Sequence, residues 1–156
     1  MKLISRDEIA EVVHTNKAAG KTLVFTNGCF DIIHAGHVRY LAEARKLGQC
    51  LIVGLNSDRS VKELKGPTRP VNHQEDRAEV MAALAAVDYV VIFDERTAES
   101  LISEVQPDIY VKGGDYCIDD IPEAKVVAAK GGKTVLIPEV PGRSSSNIIK
   151  KISETN

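Results

Sequence analysis

An open α/β sheet of about five parallel strands, with helices covering both faces, is the fold this sequence predicts. Three observations carry that expectation. Five short apolar runs, such as "TLVFTN" from Thr22 and "CLIVGLN" from Cys50, lack the alternation of a half-exposed strand. Between them lie stretches whose apolar residues recur at helical spacing. Capping residues and glycines punctuate the boundaries. Continuous apolar strands alternating with amphipathic helices imply parallel strands buried on both sides. The length, 156 residues, suits one domain with one core, residues 1–156.

Ser5-Arg6-Asp7-Glu8 has the form of a capping box, opening a helix that Gly20 closes. After the strand from Thr22, a helix is expected over about 36–47, with Val38, Leu41, Ala42 and Arg45 along its inner stripe. The strand from Cys50 leads to Ser57, which can cap a short helix through Leu64. "KGPTRPVNH" from Lys65 has prolines, a glycine and basic residues without period, and reads as a mobile loop. Asn72 and Glu75 then open a helix that should turn Val80, Met81, Leu84 and Val87 inward. Strand three is "YVVIF" from Tyr89, followed by a helix over 97–105, and strand four is "DIYVK" from Asp108. Asp120, Pro122 and Glu123 open the next helix, and Gly131-Gly132 end it. "KTVLI" from Lys133 is strand five, and the last helix starts near Ser144.

The totals exclude several classes of function. Twenty basic against 22 acidic residues give a net charge of -2, with no sign of a nucleic-acid surface or polybasic membrane anchor. Cys29, Cys50 and Cys117 are an odd number at wide spacing, so neither a disulfide framework nor structural zinc is expected. The start carries Arg6, Asp7, Glu8 and Glu11 where a signal peptide needs an apolar run. A cytoplasmic location is expected. "GGKT" at Gly131 is not a phosphate-binding loop, because Val127 stands where that motif needs glycine and the run precedes a strand.

Ligands of such sheets bind beyond the carboxyl ends of the strands. Strand one ends in Thr26-Asn27-Gly28-Cys29-Phe30-Asp31 and continues to His34, Gly36 and His37. Two imidazoles at a helix start, where N–H groups are unpaired and the dipole is positive, suit the oxygens of a phosphate. Either histidine alone is more often a cap or core residue than a ligand contact; the pair around Gly36 is what favours an anion. With Asp31 they make too few ligands for a closed zinc site. Lys62 and Lys65 sit where a lid over a triphosphate would, though exposed lysines are commonly idle. Lys112-Gly113-Gly114-Asp115 is either a tight turn or a receiver of base and ribose. Arg143-Ser144-Ser145-Ser146 is either an N-cap or a second anion site. Asp94-Glu95, after strand three, could accept hydroxyls or hold a metal, or be a solvated turn.

These residues carry a resemblance. "GCFDIIHAGH" from Gly28 is similar to the GxFDxxHxGH signature of the cytidylyltransferase-like nucleotidyltransferases. "GRSSSNIIKKI" from Gly142 is similar to their second signature, with Ser144-Ser145-Ser146 where Ser-Thr-Thr is usual. Within that family, "NSDRSVKELKGPTRPV" and "YVKGGDY" look most like the heptose-phosphate adenylyltransferases. The resemblance implies a Rossmann-like fold and transfer of AMP from ATP, with Mg²⁺, to D-glycero-D-manno-heptose 1-phosphate, releasing pyrophosphate on the route to lipopolysaccharide core. Such enzymes are often fused to a sugar kinase; within these 156 residues no kinase domain is expected.

The same resemblance implies roles. His34 and His37 would hold the triphosphate and stabilise the pentacovalent α-phosphorus. Lys62 and Lys65 would neutralise charge passing to pyrophosphate, and Arg143 with Ser144, Ser145 and Ser146 would hold the β- and γ-phosphates. Thr26, Asn27, Gly28, Cys29, Phe30 and Gly36 would line the nucleotide site; Lys112, Gly113, Gly114 and Asp115 would receive the base and ribose. Asp31 is a candidate for the sugar hydroxyls. No protein metal site is expected, and the partners are small molecules, with no nucleic acid or membrane; a homodimer is left open. Cytidylyl transfer to glycerol 3-phosphate or a similar alcohol phosphate, adenylyl transfer to FMN, and an ATP-sensing module without chemistry are the competing readings.

Overall fold

The computed structural model describes residues 2–155. Its sheet has six strands: β1 (Leu3–Ile4), β2 (Leu23–Gly28), β3 (Cys50–Asn56), β4 (Tyr89–Phe93), β5 (Ile109–Gly113) and β6 (Lys133–Ile137). Every neighbouring pair is parallel, in the order β1-β4-β3-β2-β5-β6. Five are the expected strands. The sixth, β1, pairs Leu3 with Val90 and Ile4 with Val91 at one edge. Two residues are too few for any period to show in the sequence.

The helices are α1 (Ile9–Ala18), α2 (Ala35–Arg45), α3 (Asp58–Lys65), α4 (Gln74–Ala83), α5 (Glu99–Val105), α6 (Pro122–Ala129) and α7 (Ser145–Thr155). The Ser5 backbone N–H donates to Glu8 Oε1 at 3.4 Å, and a single 3-10 turn there leads into α1. Gly20, at φ +77, reverses the chain after it. Ser57 Oγ accepts from the Ser60 N–H at the start of α3.

The pleat divides the core. Leu23 and Phe25 face one side with Ile9 and Val13 of α1, Leu101 and Val105 of α5, and Val127 of α6. Val24 faces the other with Leu41 and Ala44 of α2 and Ala78 and Met81 of α4. Both faces are dry, as a parallel sheet requires. Two expected core positions are corrected: Val38 and Val80 are each 46% exposed. On α2 the inner stripe is Leu41 and Ala44; on α4 it is Ala78 and Met81, with Arg77 buried beside them. Val87 is buried, as expected, but lies beyond the end of α4. Among the described residues, no helix is long and apolar enough to cross a membrane.

The strand order fixes where a ligand goes. From β2 the chain steps outward through β3 and β4, then returns to lay β5 and β6 on the other side of β2. The crevice at such a reversal lies beyond the carboxyl ends of β2 and β5.

Candidate active site

A cleft of about 600 Å³ opens at that reversal. One wall is the start of α2. His34 is its N-cap, in extended conformation at φ -140 and ψ 175, and His37 falls in the first turn. Cap and first turn share a side, so the two rings stack with centroids 3.8 Å apart and planes 24° from parallel. His37 also meets the Phe30 ring edge-on at 5.1 Å.

Gly36 makes this stack possible. A Cβ there would lie 2.9 Å from His34 Cε1 and Nδ1 and 3.3 Å from Arg143 Cβ. The stacked ring has nowhere to retreat. The backbone leading into the motif is under load as well: Phe30 sits at φ +44, a conformation costing a non-glycine residue roughly 1–3 kcal/mol.

Both ring nitrogens of His34 and Nδ1 of His37 are buried without a hydrogen-bond partner among the described residues. An unsatisfied buried polar atom costs on the order of 1–3 kcal/mol, so three in one place are suited to an oxygen-rich ligand. Burial, with Arg143 nearby, pushes the His34 pKa down. Burial, with His34 nearby, pushes His37 down to about 4. Both rings are therefore neutral at pH 7.

A pH dependence follows. Unfolded histidine titrates near 6.5 and folded His37 near 4, so between those values the unfolded chain binds more protons. Stability present above pH 6.5 is lost as pH falls toward 4, and His34 acts in the same direction. Urea midpoints measured across this range should decline with acid, and His37→Gln should remove most of the slope. An unchanged slope in the variant would contradict the neutral, desolvated ring.

The opposite signature meets the first directly. Ser145 Oγ donates to the Ile32 carbonyl at 2.8 Å and lies 3.3 Å from the Ile32 N–H. Arg143, Ser144, Ser145 and Ser146 all line the cleft that holds the imidazoles. Ser144 Oγ also accepts from the Asn147 N–H at 3.0 Å, so it serves as an N-cap besides.

The remaining expected residues divide. Asn27, Gly28, Cys29, Phe30, Gly36, Lys65, Lys112 and Gly113 line the cleft; Lys62, Gly114 and Asp115 do not. Burial raises the Cys29 thiol, so it remains protonated. Gly114, at φ +104, makes the turn that brings the Tyr116 ring to the cleft, and Lys112 Nζ stands 5.6 Å from that ring's centroid. Thr26 lies below the cleft, fully buried, its hydroxyl 2.6 Å from Tyr40 OH and 2.9 Å from the Val111 carbonyl. Its place is between strand and helix, where it ties α2 to β5.

Asp31 is not free to accept sugar hydroxyls. Arg69 Nε donates to it at 2.8 Å, and the Val71 and Asn72 N–H groups donate at 2.9 Å. Burial alone would raise this carboxyl, but those donors outweigh it and hold it below the usual range. Glu95 is likewise taken, by Arg6 at 3.1 Å. Among the described residues, no three His, Cys, Asp or Glu are grouped to hold a metal ion. Sequence reasoning missed Asn56, Arg69, Arg96, Thr97, Tyr116 and Glu123 in the lining. Only burial and convergence distinguish them, and neither is visible in one dimension.

Residues 25–152 match the cytidylyltransferase-like family along their length. The chain belongs to the cytidylyltransferase-like family of nucleotidyltransferases. Curated relatives agree. The bifunctional protein HldE of Geobacter sulfurreducens is 50% identical over 97% of this chain, and that of Methylobacillus flagellatus is 51% identical over the same share. The chain spans 31% of the length of either relative. Among solved structures, a lipopolysaccharide core biosynthesis protein from Thermoplasma volcanium matches at TM-score 0.64 and 29% identity, over 78% of this chain and 98% of its own. The pantoate-beta-alanine ligase of Francisella tularensis, 12% identical, covers all of this chain and 80% of its own at TM-score 0.61, a likeness of fold.

Proposed function

We propose that this chain, acting as a single domain, transfers AMP from ATP to D-glycero-D-manno-heptose 1-phosphate, yielding ADP-heptose and pyrophosphate. The observation that carries the reading is the stack of two neutral imidazoles with unpaired nitrogens, in one cleft with a serine-lined helix start. Its similarity to the HldE proteins supports the choice of acceptor.

In this reading the triphosphate lies between the two signatures. Each neutral ring offers an N–H to phosphate oxygen, and as negative charge grows around the α-phosphorus the bond strengthens. Arg143 and the serines take the β- and γ-phosphates, and Lys65 meets charge moving onto pyrophosphate. The acceptor's phosphate is already ionised at pH 7, so the reaction needs positioning and charge stabilisation without a general base. Magnesium would enter with the nucleotide and supply neutralising charge; the signature's own carboxylate, Asp31, is held by Arg69 and backbone N–H groups and would not bind it.

Pyrophosphate release should appear with ATP, Mg²⁺ and the heptose 1-phosphate. Release with CTP and an alcohol phosphate, but not with ATP, would move the protein to the cytidylyl branch. ATP binding without turnover on any phosphorylated acceptor would make it a sensor.

A further inference from the structure

The cleft has a second wall that the nucleotide chemistry leaves unused. Eight polar or charged side chains are buried in the fold: Asn16, Thr26, Asp31, Asn56, Ser57, Ser60, Arg77 and Glu123. Asn16, Thr26, Asp31, Ser57, Ser60 and Arg77 are all hydrogen-bonded through their side chains. Among the described residues, Asn56 and Glu123 have no such partner, and both line the cleft. Glu123 is 6% exposed, and among the described residues its carboxylate has neither a hydrogen bond nor an ion pair. Their polar atoms are not among the buried unpartnered ones, so they open into the cleft, where a ligand can meet them.

Their side of the sheet is decided by the pleat. Ile52 packs with the α1, α5 and α6 layer, so Asn56, four residues on in β3, points the same way. Asn27 follows Phe25 by two in β2 and shares that side. Its Oδ1 accepts from Tyr110 OH at 2.6 Å, which fixes the amide and leaves its NH₂ as the free donor. Glu123 stands in the first turn of α6, on the same layer. His34 and His37 come from α2, which packs on the opposite layer. A triphosphate against α2 leaves this wall to the attacking molecule.

We infer that Asn27, Asn56 and Glu123 form the acceptor subsite and read hydroxyl groups, with Glu123 as the specificity-determining residue. Carboxylate oxygens accept hydrogen bonds, and two amides supply both donors and acceptors, a set matched to a polyhydroxylated sugar phosphate. A site built to bind hydroxyls rejects analogues lacking them, because its own buried groups are then unpaired. The inference deepens the proposed adenylyl transfer and rests on it.

Steady-state kinetics of Glu123→Gln, with pyrophosphate release as readout, provide the test. The KM for the sugar 1-phosphate should rise about tenfold or more while the KM for ATP stays within about twofold. Monodeoxy analogues of the sugar 1-phosphate extend it. One of them should cost the wild type about tenfold or more in kcat/KM and cost the variant almost nothing, a coupling that a structural role would not produce. Should Glu123→Gln fail to fold, the wild-type analogue series together with Asn56→Ala reads the same subsite. A KM rise for ATP instead of sugar would assign the carboxylate to the nucleotide and overturn the inference. So would unchanged KM values, or a wild type indifferent to every deoxy analogue. A wild type that releases no pyrophosphate with any acceptor removes the adenylyl-transfer reading, and this inference with it.

Discussion

Replacing His37 with alanine is expected to lower turnover by about a hundredfold or more, while ATP affinity changes by no more than about threefold. The asymmetry comes from the ring's state. A neutral imidazole with an unpaired, buried nitrogen makes a modest bond to ground-state phosphate. The bond gains most when negative charge accumulates in the transition state, which is where catalysis is made. Removing one donor of this kind typically costs on the order of 3 kcal/mol in the activation barrier. Single-turnover kinetics with calorimetric ATP titration separate the two quantities. Equal losses in rate and affinity would indicate a ring that only binds.

The second large effect is on stability, at Arg77. Its side chain is 1% exposed, yet every bond it makes joins a different part of the site's foundation. It donates to the carbonyls of Cys29 at 2.7 Å, Asn56 at 2.8 Å and Asn72 at 2.9 Å, and to Asp58 Oδ1 at 2.8 Å. One guanidinium thus fastens the ends of β2 and β3, the loop before α4 and the first residue of α3. Arg77→Met keeps much of the volume but strands three carbonyls and a carboxylate. Breaking buried charge networks of this sort costs about 3–5 kcal/mol. In a chain of this length that lowers Tm by roughly 6–20 °C, readable by calorimetry. A fall of under about 2 °C would mean that water replaces the guanidinium without strain.

Arg77 also shows what a sequence conceals. In "QEDRAEV" it stands among charges and reads as a solvated face; only the packing of α4 buries it. The strands β2 to β6 were legible because a parallel sheet imprints continuous apolar runs. The histidine pair was legible because two imidazoles around a glycine need a reason. Thr26 was grouped with the strand end because adjacency along a chain ignores the pleat, which sends its hydroxyl toward Tyr40 while Asn27 faces the other layer. Val38 and Val80 were placed inward by helical period, but the stripe on each helix is narrower than its apolar content. Asn56 reads only as a strand end and Glu123 only as part of a helix start. Their unpaired state exists only once the chain has folded around them.

Asp31 has a mechanical consequence. By accepting from Arg69, Val71 and Asn72, its carboxylate moors the far end of the basic loop to the first signature. Lys65, the last residue of α3, is therefore held from both sides, by its helix and by a fixed post four residues on, a reach of at most about 14 Å. Its ammonium group is thereby kept near the rim of the cleft, whatever the loop beyond it does.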